Sequence, residues 1–153
     1  MSKDLEATAR RLVDEAMYLT LATSDDEGRP WASPLWCAAF GYSQFLWVSD
    51  PEARHSRNLA ARPDVAIVIF DSTVRIGGAE AVYVEAVARE VPAPELEQAI
   101  AIYSARSTAV GAREWRLADV TGPSSLRLYR ATASAWFVLG PDDRRVPVTP
   151  AAD

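Results

Sequence analysis

The feature that most constrains the fold is a succession of strand-like segments joined by short turns. The segments YLTLAT, RPWASPLWCAAF and SQFLWVS follow one another between Tyr18 and Ser49, and each is rich in apolar, β-branched or aromatic residues. A glycine-containing turn separates the first two segments, and Gly41 lies between the second and the third. Connections this short join neighbouring antiparallel strands, so the sequence predicts an antiparallel meander.

Helical periodicity and two further apolar segments extend this pattern. Apolar residues at helical spacing predict an amphipathic helix from about Lys3 to Met17, and a short helix is predicted from Glu52 to Ala61. Between 64 and 70 the unbroken apolar run DVAIVIF predicts a central strand covered on both faces. The segment AVYVEAVAREV predicts another strand, with Val82 and Val84 on one face.

The C-terminal half completes a small barrel. Pro92 and Pro94 open a third helix, whose predicted apolar stripe consists of Leu96, Ala99, Ile100 and Tyr103. The segment LRLYRATASAWFVLG predicts one long or bent strand. We therefore expect a mainly β protein with capping helices (α+β), an antiparallel barrel of six or so strands within residues 1–140. Residues 141–153 are polar and proline-rich, and we expect this tail to be only partly ordered.

Charge and composition argue against several classes of protein. The net charge of −5 disfavours nucleic acid as a partner, because such binding needs a basic face. No apolar run approaches the roughly 18–20 residues that cross a bilayer, and the first residues lack the pattern of a signal peptide. A single cysteine, Cys37, forms neither an internal disulfide nor a metal cluster. A cytoplasmic protein without a bound metal is expected.

The second predicted helix carries cations where a helix normally favours acids. Arg54, His55 and Arg57 lie in its first turns, at the positive end of the helix dipole. One interpretation is a solvated face that pairs with nearby acids. The other is an anion site, in which free backbone N–H groups and two guanidinium groups suit a phosphate. Ser49, at the end of the preceding strand, and His55 would add hydrogen-bonding groups to such a site.

Proline and tryptophan mark a second candidate region. Pro34 lacks the N–H that a central strand needs, so it predicts a bulge or an exposed edge. Under strict alternation Trp31 and Trp36 fall on opposite faces, and Trp36, which shares the face of Pro34, is the one expected to line a pocket. Trp115 and Trp136 would either stack on a planar ligand or, as is more frequent, pack in a core or an interface.

Taken in this order, the segments resemble the pyridoxamine 5′-phosphate oxidase-like family of flavin-binding split barrels. The stretch YLTLATSDDEGRPWASPLW is similar to the family's first hairpin. The stretch FLWVSDPEARHSRNLAARPDVAIVIFD is similar to its third strand, phosphate-binding helix and fourth strand. Its pattern R-x-x-R-N-L-x-x-x-P-x-V, beginning at Arg54, is specific when it follows such a hairpin. Weaker similarity extends over most of the remaining chain.

The resemblance implies a flavin-dependent oxidoreductase that binds FMN at each of two sites between the subunits of a homodimer. By position it also implies residues for three parts of the site. Ser33, Pro34, Leu35 and Trp36 would contact the isoalloxazine ring; Ser49, Arg54, His55 and Arg57 would hold the phosphate, with Asn58 close by; and Arg127 and Trp136 would complete the pocket of the partner subunit.

Two departures from the family pattern argue against the conversion of B6 vitamers. Ser33 and Ala38 stand where pyridoxamine-phosphate oxidases carry basic residues for the substrate phosphate. The Arg-x-His substrate motif is missing, because His55 is the only histidine of the chain. The substrate and the catalytic residues therefore stay open.

Three alternatives remain beside the FMN enzyme. One is an F420-dependent reductase of the same fold, in which Arg75 or the pair Arg144 and Arg145 would bind the polyanionic tail of the deazaflavin. The second is a non-catalytic protein that binds or sequesters a flavin. The third is a split-barrel dimer whose pocket takes some other phosphorylated or aromatic ligand.

Overall fold

A computed structural model describes residues 2–150, with side chains described from residue 4 onward. In chain order its elements are α1 (Ser2–Glu15), β1 (Tyr18–Ser24), β2 (Pro30–Trp36), β3 (Ala38–Phe40), β4 (Gln44–Ser49), α2 (Arg54–Ala61), β5 (Asp64–Phe70), β6 (Ala81–Glu90), α3 (Ala93–Ala109), a 3₁₀ helix (Leu117–Val120), β7 (Arg127–Leu139) and β8 (Arg145–Val148). None of the helices in this described range combines the length and apolarity needed to cross a membrane.

The strands form one antiparallel sheet that curls into a split barrel. Their order is β2-β1-β5-β6-β7-β4-β3, and β8 also pairs with β7. Strands β2 and β3 lie at opposite ends of this order, yet only Cys37 separates them in the chain. The sheet must therefore curve until its two ends approach each other, which confirms the predicted antiparallel barrel and α+β class.

The second strand-like segment of the sequence is two strands rather than one. Its first part, β2, pairs with β1, whereas β3 pairs with β4. The break at Cys37 lets one continuous stretch of chain change partners at the seam of the barrel. Alternation alone gives no sign of such a break, because the residues on both sides of Cys37 are apolar.

The long strand β7 is bent, as its sequence predicts. Its register against β6 shifts between Glu85 and Ala86, which face Ala135 and Ala133, so Ser134 is the extra residue of a bulge. The hydroxyl of Ser134 donates a hydrogen bond to the backbone carbonyl of Glu85 at 3.1 Å. Strand β8 was not predicted. It pairs with β7 and places ordered backbone within the polar tail.

Two apolar clusters support the barrel. The larger fills its interior and includes Phe45, Trp47 and Trp136. The smaller lies under α3, where all four residues of the predicted stripe (Leu96, Ala99, Ile100 and Tyr103) are buried, which confirms that prediction. The sequence identifies this helix correctly because its apolar residues recur at positions three and four apart.

The prediction that β5 is covered on both faces is wrong within the described chain. Val65, Ile67 and Ile69 point into the core, whereas Ala66 is exposed and Phe70 is 54% exposed. The outward face continues over neighbouring strands, since Thr20, Val68, Tyr83 and Phe137 stand opposite one another in register. We call it the outward apolar face; it holds a depression of about 460 Å³. Strand β5 is thus apolar on both faces, but the core of this chain covers only the face of Val65, Ile67 and Ile69.

Candidate functional site

Helix α2 begins without a side-chain cap. Ala53 occupies the N-cap position, no side chain caps the helix, and no acid lies in the first turn. The preceding turn is closed by Asp50, whose carboxylate accepts the N–H of Glu52 at 2.8 Å and whose carbonyl accepts the N–H of Ala53 at 3.0 Å. This turn delays the start of the helix to Arg54, two residues after the predicted start. The first-turn N–H groups of α2 are left for an anion or for water.

Two arginines stand on the exposed side of this helix start. Arg54 and Arg57 are exposed, lie three residues apart on one face, and line a depression together with Asp25 and Asp26. Neither guanidinium forms an ion pair with another described side chain, whereas several arginines elsewhere do. We call this region the α2 corner. Its free guanidinium groups favour the anion-site interpretation over a face neutralised by acids.

One of the two acids that line this depression is engaged by its own turn. One carboxylate oxygen of Asp25 accepts the backbone N–H groups of Glu27 at 2.9 Å and of Arg29 at 2.8 Å. These hydrogen bonds, with that from Arg29 first, lower the pKa of the Asp25 carboxyl, and the charge of Arg54 adds to the effect. Asp25 is thus ionised and held by the β1–β2 turn, beside the arginines rather than paired with them.

An indole completes the α2 corner. The guanidinium carbon of Arg54 lies 4.1 Å from the ring centroid of Trp31, and Trp31 is 41% exposed. Sequence reasoning favoured Trp36 for the pocket. The structure instead turns Trp36 towards α3, where its ring meets that of Tyr103 edge-on at 5.1 Å. The one signal for Trp31 was its place on the hairpin that precedes the cationic helix.

Ser49 and His55 meet behind the arginines. The hydroxyl oxygen of Ser49 lies 2.9 Å from Nε2 of His55, and Ser49 is buried. Half-burial lowers the pKa of His55, since removal from water disfavours the imidazolium. Among the described residues no acid forms a hydrogen bond or ion pair with Ser49 or His55, so the pair lacks the third member of a nucleophile–base–acid triad there. It is suited to hydrogen-bonding an oxygen atom near the start of α2.

Arg127 lies beside the same corner. It stands directly opposite Ser49 in the pairing of β4 with β7. Its guanidinium donates to the carbonyl oxygens of Ser124 at 2.6 Å and Leu126 at 2.7 Å, and it is 3.8 Å from a carboxylate oxygen of Glu90. The sheet therefore brings Arg127 next to Ser49, while local carbonyls hold its guanidinium.

Asn58 ties the helix to the barrel. It is 6% exposed, and its side-chain amide donates a hydrogen bond to the hydroxyl of Thr23 in β1 at 3.0 Å. The adjacent Leu59 is buried in the main core. These two residues fix the position of α2 against β1, and so fix where Arg54 and Arg57 stand.

The remaining residues named from the resemblance are dispersed. Pro34 is exposed on β2, the end strand of the sheet order, as predicted for a proline on an edge; its neighbours Ser33 and Leu35 are buried. Trp136 is 8% exposed and packs in the core with its ring 5.6 Å from that of Phe45. Among the described residues, no group of three or more His, Cys, Asp or Glu side chains is placed to hold a metal ion.

Comparisons with known proteins agree with this fold. Residues 5–140 match the family model described as pyridoxamine 5′-phosphate oxidase. A heme-binding protein from Mycobacterium smegmatis is 23% identical with a TM-score of 0.74, over 95% of this chain and 58% of that one. The chain thus spans just over half the length of that relative. No curated protein shows significant similarity to the sequence.

Two further solved structures differ in their named ligands. HutZ, a heme storage protein from Vibrio cholerae, is 25% identical with a TM-score of 0.69, over 88% of this chain and 94% of its own. An F420 reductase is 17% identical with a TM-score of 0.59, over 83% of this chain and 94% of its own. The shared architecture therefore accompanies more than one cofactor among these proteins.

Proposed function

The chain belongs to the pyridoxamine 5′-phosphate oxidase-like family, and on that premise we propose that it is an FMN-dependent oxidoreductase whose α2 corner binds the cofactor phosphate. The observation that carries this proposal is the pair Arg54 and Arg57, without acid partners among the described side chains, at an uncapped helix N-terminus. Free N–H groups, a positive dipole end and two guanidinium groups match a phosphate dianion in charge and in hydrogen-bonding capacity.

Each residue of the corner would have a distinct part in holding the phosphate. Arg54 and Arg57 would donate charge-assisted hydrogen bonds, and the first-turn N–H groups of α2 would donate along the helix axis. Ser49 and His55, already 2.9 Å apart, would add one further donor. Bound FMN would supply the hydride chemistry, while this chain binds and orients it.

The outward apolar face would take the ring and a second copy of the chain. Pro34 stands opposite Thr20 in β1, and from there the face runs over Val68, Tyr83 and Phe137. A planar ring at Pro34 would border this face, and a second subunit would cover its remainder in a homodimer. Phe70, 54% exposed on the same face, provides a test. Phe70→Lys should convert a dimer to a monomer in sedimentation velocity, with an unchanged circular dichroism spectrum.

Heme fits the described residues less well than a flavin phosphate. Heme iron in proteins is usually held by an axial histidine, cysteinate, methionine or tyrosinate. The only histidine, His55, has its Nε2 atom 2.9 Å from the hydroxyl of Ser49 at the cationic corner. The outward depression is lined by residues such as Ala22, Ala66 and Phe137, without histidine, cysteine or methionine. Its one possible ligand of these types is Tyr83, whose ring centroid lies 4.7 Å from the guanidinium carbon of Arg145. The heme named for two relatives is therefore the weaker candidate here.

The visible absorption spectrum of the purified protein tests the proposal directly. The protein would be mixed separately with FMN, F420 and hemin, freed of excess ligand and scanned. We expect an FMN spectrum that stays with the protein, and reoxidation of the reduced form by an added acceptor with repeated turnover. Retained FMN without turnover would indicate a flavin-sequestering protein. Retention of F420 alone would indicate the deazaflavin reductase, and retention of neither flavin would refute the phosphate assignment.

A further inference from the structure

We propose that Trp31 is a positioning residue for the anion site, where its indole holds the guanidinium of Arg54 ready for a phosphate. This inference rests on the proposed function. It adds a residue from the β1–β2 hairpin to a site otherwise built on α2 and the strand before it. The hairpin and the helix are thereby joined at the point where the ligand binds.

The guanidinium of Arg54 lies over the indole of Trp31 and forms no hydrogen bond or ion pair with another described residue. The guanidinium carbon lies 4.1 Å from the centroid of the Trp31 ring. A guanidinium group that lies over an aromatic face is attracted by the ring, while its N–H donors point outward in its own plane. An ion pair with a carboxylate would use those same donors. Stacking therefore immobilises the long side chain without occupying the atoms that bind phosphate.

Nearby acids make this restraint necessary. Asp25 and Asp26 line the same depression as Arg54, and the Asp25 carboxyl is ionised. Without the indole, Arg54 would be free to turn towards these carboxylates and be neutralised by them. Asp25 is kept in its own turn by the N–H groups of Glu27 and Arg29, and Arg54 is kept apart by Trp31. In this arrangement neither side of the possible ion pair is turned towards the other, and the corner stays cationic.

A second arginine–indole stack shows what an ordinary surface pair looks like. The guanidinium carbon of Arg113 also lies 4.1 Å from the ring centroid of Trp115. That guanidinium, however, forms an ion pair with Asp119 at 3.0 Å and donates to the carbonyl of Glu114 at 3.2 Å. Its donors are therefore taken. Arg113→Ala is therefore a matched control. It removes an arginine–indole contact with the same 4.1 Å separation, but at a place outside the proposed site.

Affinities for FMN and for riboflavin, measured by quenching of flavin fluorescence, test the role of Trp31. Riboflavin lacks the phosphate, so the ratio of the two affinities isolates the anion site. Trp31→Ala should weaken FMN binding by about threefold to fivefold, the size of an exposed cation–π contact, and should leave riboflavin binding unchanged. Trp31→Phe should retain FMN affinity within about twofold, because a phenyl face also attracts a guanidinium. Arg113→Ala should change neither affinity.

A double substitution decides whether Trp31 acts through Arg54. In an Arg54→Ala background, Trp31→Ala should produce no further loss of FMN affinity. A further loss there, or an equal loss of FMN and riboflavin binding in Trp31→Ala alone, would overturn the inference and leave Trp31 a structural residue. An unchanged FMN affinity in Trp31→Ala would do the same. If the wild-type protein binds FMN no better than riboflavin, the phosphate assignment itself fails.

Discussion

The arginines beside α3 and those of the α2 corner have the same charge and different partners. Near α3, Arg130 lies 3.1 Å from a carboxylate oxygen of Glu95, and Arg113 lies 3.0 Å from one of Asp119. At the α2 corner, Arg54 and Arg57 have no such partner among the described side chains, although an ionised aspartate lies nearby. The two regions therefore differ in whether the guanidinium groups of their arginines are already bound to carboxylates.

The unpaired arginines oppose the stability of the free helix. Two like charges three residues apart repel, and both stand at the positive end of the α2 dipole. Each effect amounts to a few tenths of a kcal/mol on an exposed helix, which the burial of Leu59 readily offsets. A bound anion offsets both effects, because it attracts both guanidinium groups and the positive end of the helix dipole. A ligand that binds only the folded state would therefore also stabilise the protein.

Loss of Arg57 should give the largest effect on ligand affinity. Arg57→Ala removes a charge-assisted hydrogen bond, and FMN binding should weaken by about 1.5–3 kcal/mol, or roughly 10-fold to 150-fold. The melting temperature without ligand should be unchanged or slightly higher, because one repulsion at the helix start is lost. Flavin fluorescence titration and thermal unfolding measure the two quantities. Full FMN affinity in a folded Arg57→Ala protein would show that Arg57 does not bind the phosphate, although it lacks an acid partner among the described side chains.

Arg130→Ala is the matched control from the α3 side. It removes an arginine whose guanidinium already has a carboxylate partner. FMN affinity should not change, and the free energy of unfolding should fall by less than about 1 kcal/mol, as for other partly exposed ion pairs. A loss of FMN affinity comparable with that of Arg57→Ala would mean that general positive charge, rather than the α2 corner, binds the ligand.

Removal of the Asn58 amide tests the contact that positions helix α2, while the charges of Arg54 and Arg57 stay unchanged. Asn58→Ala deletes the hydrogen bond to Thr23 and leaves a buried hydroxyl without that partner. The free energy of unfolding in urea should fall by about 1–3 kcal/mol. In a double-mutant cycle with Thr23→Val, the two losses should be less than additive. Strictly additive losses would show that the two side chains contribute to stability independently.

Local sequence signals predicted most of the fold. The periodicity of α3, the strand segments and the bent β7 are each fixed by residues close together in the chain, so the pattern alone identifies them. The partner change at Cys37 and the pairing of β8 with β7 depend on distant segments, which no local pattern encodes. The open face of β5 was missed because an apolar strand does not specify what covers it.

The α2 corner could be predicted only in part for the same reason. Arg54, Arg57 and Ser49 could be named because the helix-end cations are unusual in sequence. The stack of Trp31 on Arg54 and the hydrogen bond from Asn58 to Thr23 join segments more than twenty residues apart, so only the fold reveals them. These two contacts also show that Arg54 and Asn58, which the sequence places together on one helix, have different roles. Arg54 lies over Trp31 without an acid partner among the described side chains, whereas Asn58 holds the helix in place.

The smallest expected effect is a pH dependence of stability from His55. Burial lowers the pKa of His55 in the folded protein, so the unfolded chain takes up a proton more readily. Stability should therefore decline as the pH falls through about 6.5 and below. Because His55 is the only histidine, the difference between wild type and His55→Gln in urea unfolding isolates this contribution.

Inorganic phosphate should reduce the decline, since an anion at the α2 corner favours the imidazolium. An identical decline with and without phosphate would place His55 outside the reach of the anion, and the corner would then consist of Arg54, Arg57 and the helix N-terminus alone.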